Sequence, residues 1–163
     1  MHIGNQKLRN GFVMAPIKTG YGDGDGGVTD RHLRFYRRRA RHVGAVTPEP
    51  LFLDETLREL PTQMGVHTDD VVPGLNRLTD AIHDEGAKAI AHLNHPGRMA
   101  NPQIDGTVHR SSSASTCERT GVTPERMTPA EIQEAVEQFA EGARRAEAAG
   151  FAVSESAWAA AAF

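Results

Sequence analysis

The chain has 163 residues, 39% hydrophobic and 24% charged, with a formal net charge of −3 and a pI near 6.2. This composition suits one soluble domain with an ordinary core. It excludes a disordered or fibrous chain and gives no general electrostatic reason to expect nucleic acid or a membrane as partner. The single cysteine, Cys117, excludes an intrachain disulfide framework and any cluster of cysteine ligands, which fits a reducing, cytoplasmic compartment. The stretch Met1 to Lys7 lacks an apolar signal region, and no run approaches the ~20 apolar residues that span a bilayer.

Short apolar runs alternate with longer amphipathic ones, the pattern of parallel strands joined by crossover helices, so the expected class is α/β. Phe12 to Ala15, closed by Pro16, predicts a buried strand, followed by a glycine-rich loop from Gly20 to Gly27. That loop lacks a Lys-Ser/Thr ending and the Rossmann spacing, and reads as a flexible connection and not a phosphate cradle. Thr29 or Asp30 caps a helix over Arg31 to His42. Its run Arg37-Arg38-Arg39-Ala40-Arg41 reads as an exposed helical face, with a nucleic-acid surface and Tyr36 as stacking platform the other reading. Gly44 to Thr47 predicts a second short strand, and the polar, proline-containing stretch Pro48 to Asp70 a long functional loop. Leu75, Leu78, Thr79 and Ile82 recur at helical spacing, Gly86 ends that helix, and Lys88 to Leu93 supplies a third strand. A Ser-rich loop at Arg110 to Thr116 precedes Thr128-Pro129-Ala130-Glu131, which has the capping-box form with proline in the first turn. Ile132, Ala135, Val136, Phe139, Ala143 and Ala146 are expected on one face of the clearest helix, which ends near Gly150. Phe151-Ala152-Val153 then begins a fourth strand.

About four βα units amount to half of the eight that close a TIM barrel. The expected architecture is the N-terminal half of a TIM (β/α)8 barrel, one partial domain over residues 1–163 with the C-terminal half absent. Such an open half leaves apolar strand edges unpaired, so self-association or a complementary barrel half is the expected macromolecular partner.

Five segments carry a resemblance, in order: Arg9 to Ile17, Phe35 to Ala40, Gly44 to Glu49, Ile82 to Arg98 and Gly150 to Phe163. They resemble "NRxVMAPM", "YYxxRA", "GLIITE", "VHxxGxKxxxQLxHxGR" and "GFDxVEIHxAHGYL" of the old yellow enzyme family, the NADH:flavin oxidoreductases. The pieces "MAPIKTGYG" and "HLNHPGR" look closer to the barrel domains of dienoyl-CoA reductase-like enzymes. The resemblance implies an FMN across the C-terminal mouth of the barrel, taking hydride from NADH or NADPH and passing it to a small-molecule substrate, an activated alkene or similar acceptor. The protein would supply position and electrostatics.

By the same resemblance Ala15, Pro16, Ile17 and Lys18 edge the flavin ring, Pro50 backs it, His92 takes the place of a glutamine that bonds the pyrimidine, and Arg98 braces the loop or meets the cofactor. A cation at Lys18 would stabilise the anionic reduced ring. By residue type alone, Lys18 is equally a solvated lysine, Pro50 a turn former and Arg98 one half of a surface ion pair. A neutral histidine offers one donor and one acceptor, so His92 replaces part of the amide pairing. His92 and His95 stand three apart, a spacing that superficially resembles a metal pair, but no carboxylate or thiol stands nearby in sequence and no metal is expected.

The chain also departs from the pattern. Gly11 replaces an arginine and so removes a structural ion pair of the family. Ser154 to Phe163 stands where relatives carry a substrate-binding histidine pair and a tyrosine, with Ala160 at a position that cannot donate a hydrogen bond. The chain is therefore expected to be incomplete and weakly active or inactive alone. The alternative is a non-catalytic half-barrel serving assembly or binding.

Overall fold

In the computed structural model, which describes residues 2–3 and 6–158, the apolar segments pair in parallel as one wall. A small antiparallel pair, β1 (His2–Ile3) and β2 (Gln6–Lys7), precedes it. The wall is built from β3 (Val13–Met14), β4 (Ala45–Val46), β5 (Leu51–Phe52) and β6 (Lys88–His95). A separate parallel pair forms from β7 (Arg110–Ser111), inside the stretch expected to be a Ser-rich loop, and β8 (Glu125–Arg126), and β9 (Val153–Trp158) completes the wall. β3 pairs with β4, β4 with the start of β6, and β6 runs beside β9 from Ile90 to His95.

Val46 stands opposite Ala89 and Leu51 opposite Leu93, so residues 47–50 on one strand span what residues 90–92 span on the next. This is a bulge of one extra residue. Pro48 and Pro50 fall within it, where a missing N–H costs no ladder hydrogen bond. The segment expected to be one long loop from Pro48 thus begins as a continuation of the wall. It then makes a short 3-10 turn at Glu55–Leu57, capped by Asp54, whose carboxylate accepts from the Thr56 N–H at 2.9 Å.

Three helices cover one side of the wall: α1 (Asp30–Ala40), α2 (Val72–His83) and α3 (Pro129–Ala148). The Thr128 hydroxyl accepts from the Glu131 N–H and the Glu131 carboxylate from the Thr128 N–H, so the expected capping box forms. Gly86 and Gly150, with φ of +82° and +85°, close the ends of α2 and α3 in a conformation glycine adopts without penalty. Along β6, Ala89, Ala91 and Leu93 point to the helices and pack with Leu75, Leu78, Ile82 and Ala146, each large aliphatic residue contributing about 2 kcal/mol by burial. The alternate residues Ile90 and His92 are half-buried on the opposite, inner face.

Three further expectations are corrected. The strand expected to be buried over Phe12 to Ala15 is only Val13–Met14 and lies at the open edge of the wall, so Phe12 and Val13 are 72% and 44% exposed. α1 stops at Ala40, two residues before His42, because the Arg9 guanidinium occupies the carbonyls there: it donates to the oxygens of Ala40, Val43 (2.8 Å) and Glu85 (2.7 Å). Arg9 braces that end although Gly11 carries no side chain. On α3 the expected single apolar face splits: Ala135, Gly142 and Ala146 are buried, whereas Ile132 and Val136 are 43% and 48% exposed. Gly142 sets the contact line, because a Cβ there would meet Leu53 Cδ2 at 2.6 Å, and the larger residues are turned away from it. No helix among the described residues is long and apolar enough to cross a membrane.

Candidate functional site

The loops that follow β3, the wall bulge and β6 meet at the C-terminal ends of the strands, the side on which such folds place their chemistry. Glu49, buried in the bulge, organises them. One carboxylate oxygen accepts from the Thr19 N–H (2.5 Å), the Thr19 hydroxyl (2.7 Å) and the Gly20 N–H (3.2 Å), and the other from the Met64 N–H (2.9 Å). His32 of α1 approaches that second oxygen. The Thr29 N–H donates to His32 Nδ1 at 3.2 Å, so the ring proton sits on Nε2 and faces Glu49. Burial pushes the Glu49 carboxyl up, but the hydrogen bonds from His32, Thr19 and Met64 outweigh it and hold it below its ordinary 4.5.

A second carboxylate ties the same loops together. The Lys18 ammonium is paired with Glu59 Oε1, and the Asn94 amide donates to Glu59 Oε2 at 2.8 Å. The Glu59 N–H donates to Gln63 Oε1 at 2.7 Å, and the Asn101 amide to the Glu59 carbonyl at 3.1 Å. The side chains of Lys18 and Glu59 are 37% and 12% exposed, which leaves the ammonium facing solvent over a largely covered carboxylate.

Around this frame the sequence-predicted residues take distinct places. Ala15 is exposed and Pro16 half-buried, and Ile17 is 56% exposed at the mouth. Pro50 is buried, its carbonyl accepting from Gln63 Nε2 at 2.8 Å, and one step back from the Leu51 and Leu93 pair it neighbours His92. Arg98 lies on the 3-10 turn Gly97–Met99, set off from the others, with its carbonyl accepting from the Thr120 hydroxyl at 3.4 Å. Glu49, His32, Glu59 and Asn94 were missed as site residues. The only signal was a charged residue wedged between Pro48 and Pro50, inside an otherwise apolar strand.

Other motifs resolve differently. Tyr36 is fully buried, stacks on His32 and accepts from the Glu49 N–H at 2.8 Å, so it offers no platform to a base; burial pushes its hydroxyl pKa well up. Arg37, Arg38 and Arg39 are exposed, Arg39 lying over the Phe35 ring. The glycine-rich loop is braced, with Asp23 accepting from the N–H groups of Asp25 (3.0 Å) and Gly27 (2.6 Å). His92 and His95 fall on opposite faces of β6, and among the described residues no group of three His, Cys, Asp or Glu converges as metal ligands.

The family model described as NADH:flavin oxidoreductase / NADH oxidase matches residues 1–157. The chain is 39% identical over 148 residues to an NADH:acrylate oxidoreductase of Vibrio harveyi, covering 89% of this chain and 15% of that protein. It is 35% identical over 150 residues to an NADPH dehydrogenase of Halalkalibacterium halodurans, covering 91% and 43%. Among solved structures, the old yellow enzyme homologue from Zymomonas mobilis superposes with a TM-score of 0.87 at 25% identity, over 96% of this chain and 46% of that one. Morphinone reductase in complex with tetrahydroNAD gives 0.83 at 26%, over 94% and 46%. The chain therefore spans less than half the length of each of these relatives.

Proposed function

The chain belongs to the NADH:flavin oxidoreductase / NADH oxidase family, and from that premise we propose that it builds the cofactor mouth of an FMN-dependent oxidoreductase. The enzyme takes hydride from NADH or NADPH and passes it to an activated alkene or similar small-molecule acceptor. The observation that supports this reading best is the ammonium of Lys18, tied by Glu59 to Asn94 at the end of β6 and flanked by the uncovered apolar surface of Ile17. Apolar surface edged by a fixed cation fits a flat ring that becomes anionic on reduction.

When bound, FMN supplies the electron-carrying ring. Ala15, Pro16 and Ile17 give its apolar edge, and Lys18 its electrostatic stabilisation. Pro50 backs the ring, His92 meets the polar pyrimidine side from the inner face of β6, and Arg98 braces the loop beyond. Residues 1–163 are read as one barrel domain, cytoplasmic in location. It self-associates or pairs with a complementary barrel half through β3, where Val13 is 44% exposed and the preceding Phe12 72%. Alanine at 157 and 160, where relatives carry histidines, supports a second reading as a non-catalytic module; Ala160 lies outside the described residues.

An FMN titration followed by absorption and fluorescence, with the mass checked in the same sample, tests the proposal. Saturable binding with a perturbed flavin spectrum is expected, and a folded chain that leaves the spectrum of free FMN unchanged overturns it.

A further inference from the structure

Between the loop after β3 and the tip that follows β7 lies a cleft of about 410 Å3, lined by Lys18, Glu59, Asn101, Gln103, Arg119 and Thr120 among others. Its charges do not cancel. The Glu59 carboxylate is committed on both oxygens, to Lys18 and to Asn94, whereas the Arg119 guanidinium has no carboxylate partner among the described residues. Two cations and one carboxylate thus line the cleft, and the carboxylate is already engaged.

The turn that carries Arg119 is closed by its own hydrogen bonds. The Cys117 N–H donates to the Val122 carbonyl and the Gly121 N–H to the Cys117 carbonyl, both at 2.8 Å, and the hydroxyls of Thr116 and Thr123 meet at 2.7 Å. Thr120 then pins the turn to the Arg98 carbonyl. On the facing rim, Asn101 is spent as a brace, its amide on the Glu59 carbonyl and its oxygen accepting from the Gln103 N–H at 3.0 Å. A guanidinium carried on a preorganised turn, lining one cleft with an anchored ammonium, is the chemistry that recognises carboxylate and phosphate oxygens.

We infer that this cleft binds the anionic oxygen group, carboxylate or phosphate, of a small molecule entering the barrel mouth, with Arg119 and the solvent-facing N–H groups of Lys18 as its donors. The inference rests on the flavin reading only for the identity of that molecule, an acceptor carrying a carboxylate or the phosphate of the reductant.

The test is a calorimetric titration of inorganic phosphate into the full chain, its Arg119→Met variant and an Arg34→Met variant that removes the same charge from the exposed face of α1. Phosphate affinity should fall about tenfold in R119M, the worth of one charge-assisted contact, and stay within about twofold in R34M. Equal losses in the two variants, or no saturable binding by the unmodified chain, overturn the inference. Competition identifies the source: displacement by crotonate assigns the site to the acceptor, displacement by NADPH or NADH assigns it to the reductant, and displacement by none of them overturns it. FMN binding, followed by flavin fluorescence in separate samples, keeps the two readings apart. Phosphate binding without FMN binding removes the flavin reading and leaves the anion cleft, and the reverse result removes the cleft alone.

Discussion

His32 Nε2 lies 3.4 Å from Glu49 Oε1, and neither side chain has any surface in contact with solvent. The contact fastens α1 to the wall bulge, while the remaining lone pairs of Glu49 hold Thr19, Gly20 and Met64. Replacing Glu49 by Gln turns an amide N–H2 toward one of these sets of donors. We expect it to cost about 3 kcal/mol, the scale of breaking a buried pair by changing one partner. Urea unfolding measures this, and a loss below ~1 kcal/mol would mean that Glu49 is not the anchor.

Stability should also fall on mild acidification. Burial lowers the pKa of His67, His83 and His95 below the ordinary 6.5, so the folded chain refuses protons that the unfolded chain accepts. Their contribution is fully present above 6.5 and is lost as pH falls below it, with Glu49 adding its own loss as pH drops below 4.5. Urea midpoints at a series of pH values between 8 and 5 should decline from about 6.5 downward. A flat profile down to pH 5 sinks the idea.

At the mouth, Lys18→Met should lower the potential of bound flavin by about 30 mV if the ammonium contributes about 1.4 kcal/mol to the reduced ring. Spectroelectrochemistry reads it, and an unchanged potential removes the contact. His92→Gln restores an amide's paired donor and acceptor and should tighten FMN binding by up to about tenfold, one net hydrogen bond. Equal or weaker affinity counts against the assignment of His92.

Gly44 immediately precedes β4 with its N–H donating to the Phe12 carbonyl at 2.8 Å, and a Cβ there would collide with the backbone carbonyl oxygen of Asn10. Because backbone cannot swing aside, Gly44→Ala should destabilise by about 3 kcal/mol. Thermal unfolding that matches the parent would show that the β2 to β3 connection is softer than its hydrogen bonds suggest.

The two sides of α3 should answer differently to truncation. Val136→Ala on the exposed side is expected to cost under ~1 kcal/mol, whereas Leu93→Ala beneath Gly142 leaves a cavity worth about 3 kcal/mol. Comparable costs would mean that Val136 is covered in solution.

What was legible in the sequence was local. The box at Thr128 and Glu131 and the glycine ends at 86 and 150 depend on neighbours within one turn, and the order of strands and helices follows from their periodicities. The flavin family was legible because its motifs lie along the strands. Glu49 and Glu59 were not, because their partners are distant in the chain: Thr19 is 30 residues from Glu49, and Lys18 is 41 from Glu59. No periodicity encodes such pairs. The direction of α3 was misread for a related reason, since apolar spacing marks every contact a helix can make without saying that Gly142 would own the tightest.

The extra residue between Val46 and Leu51 carries a further consequence. Side chains on a strand alternate, yet these two, five positions apart, both belong to the core beneath the helices, because the bulge restores parity. Losing a single residue from 47–50 would close the bulge into a regular ladder, leaving Leu51 and Leu53 on the helix side but carrying Glu49 away from Thr19. What the extra residue provides is therefore the placement of Glu49, and with it the tie between the wall and the loop after β3, and not the packing of the strand against the helices.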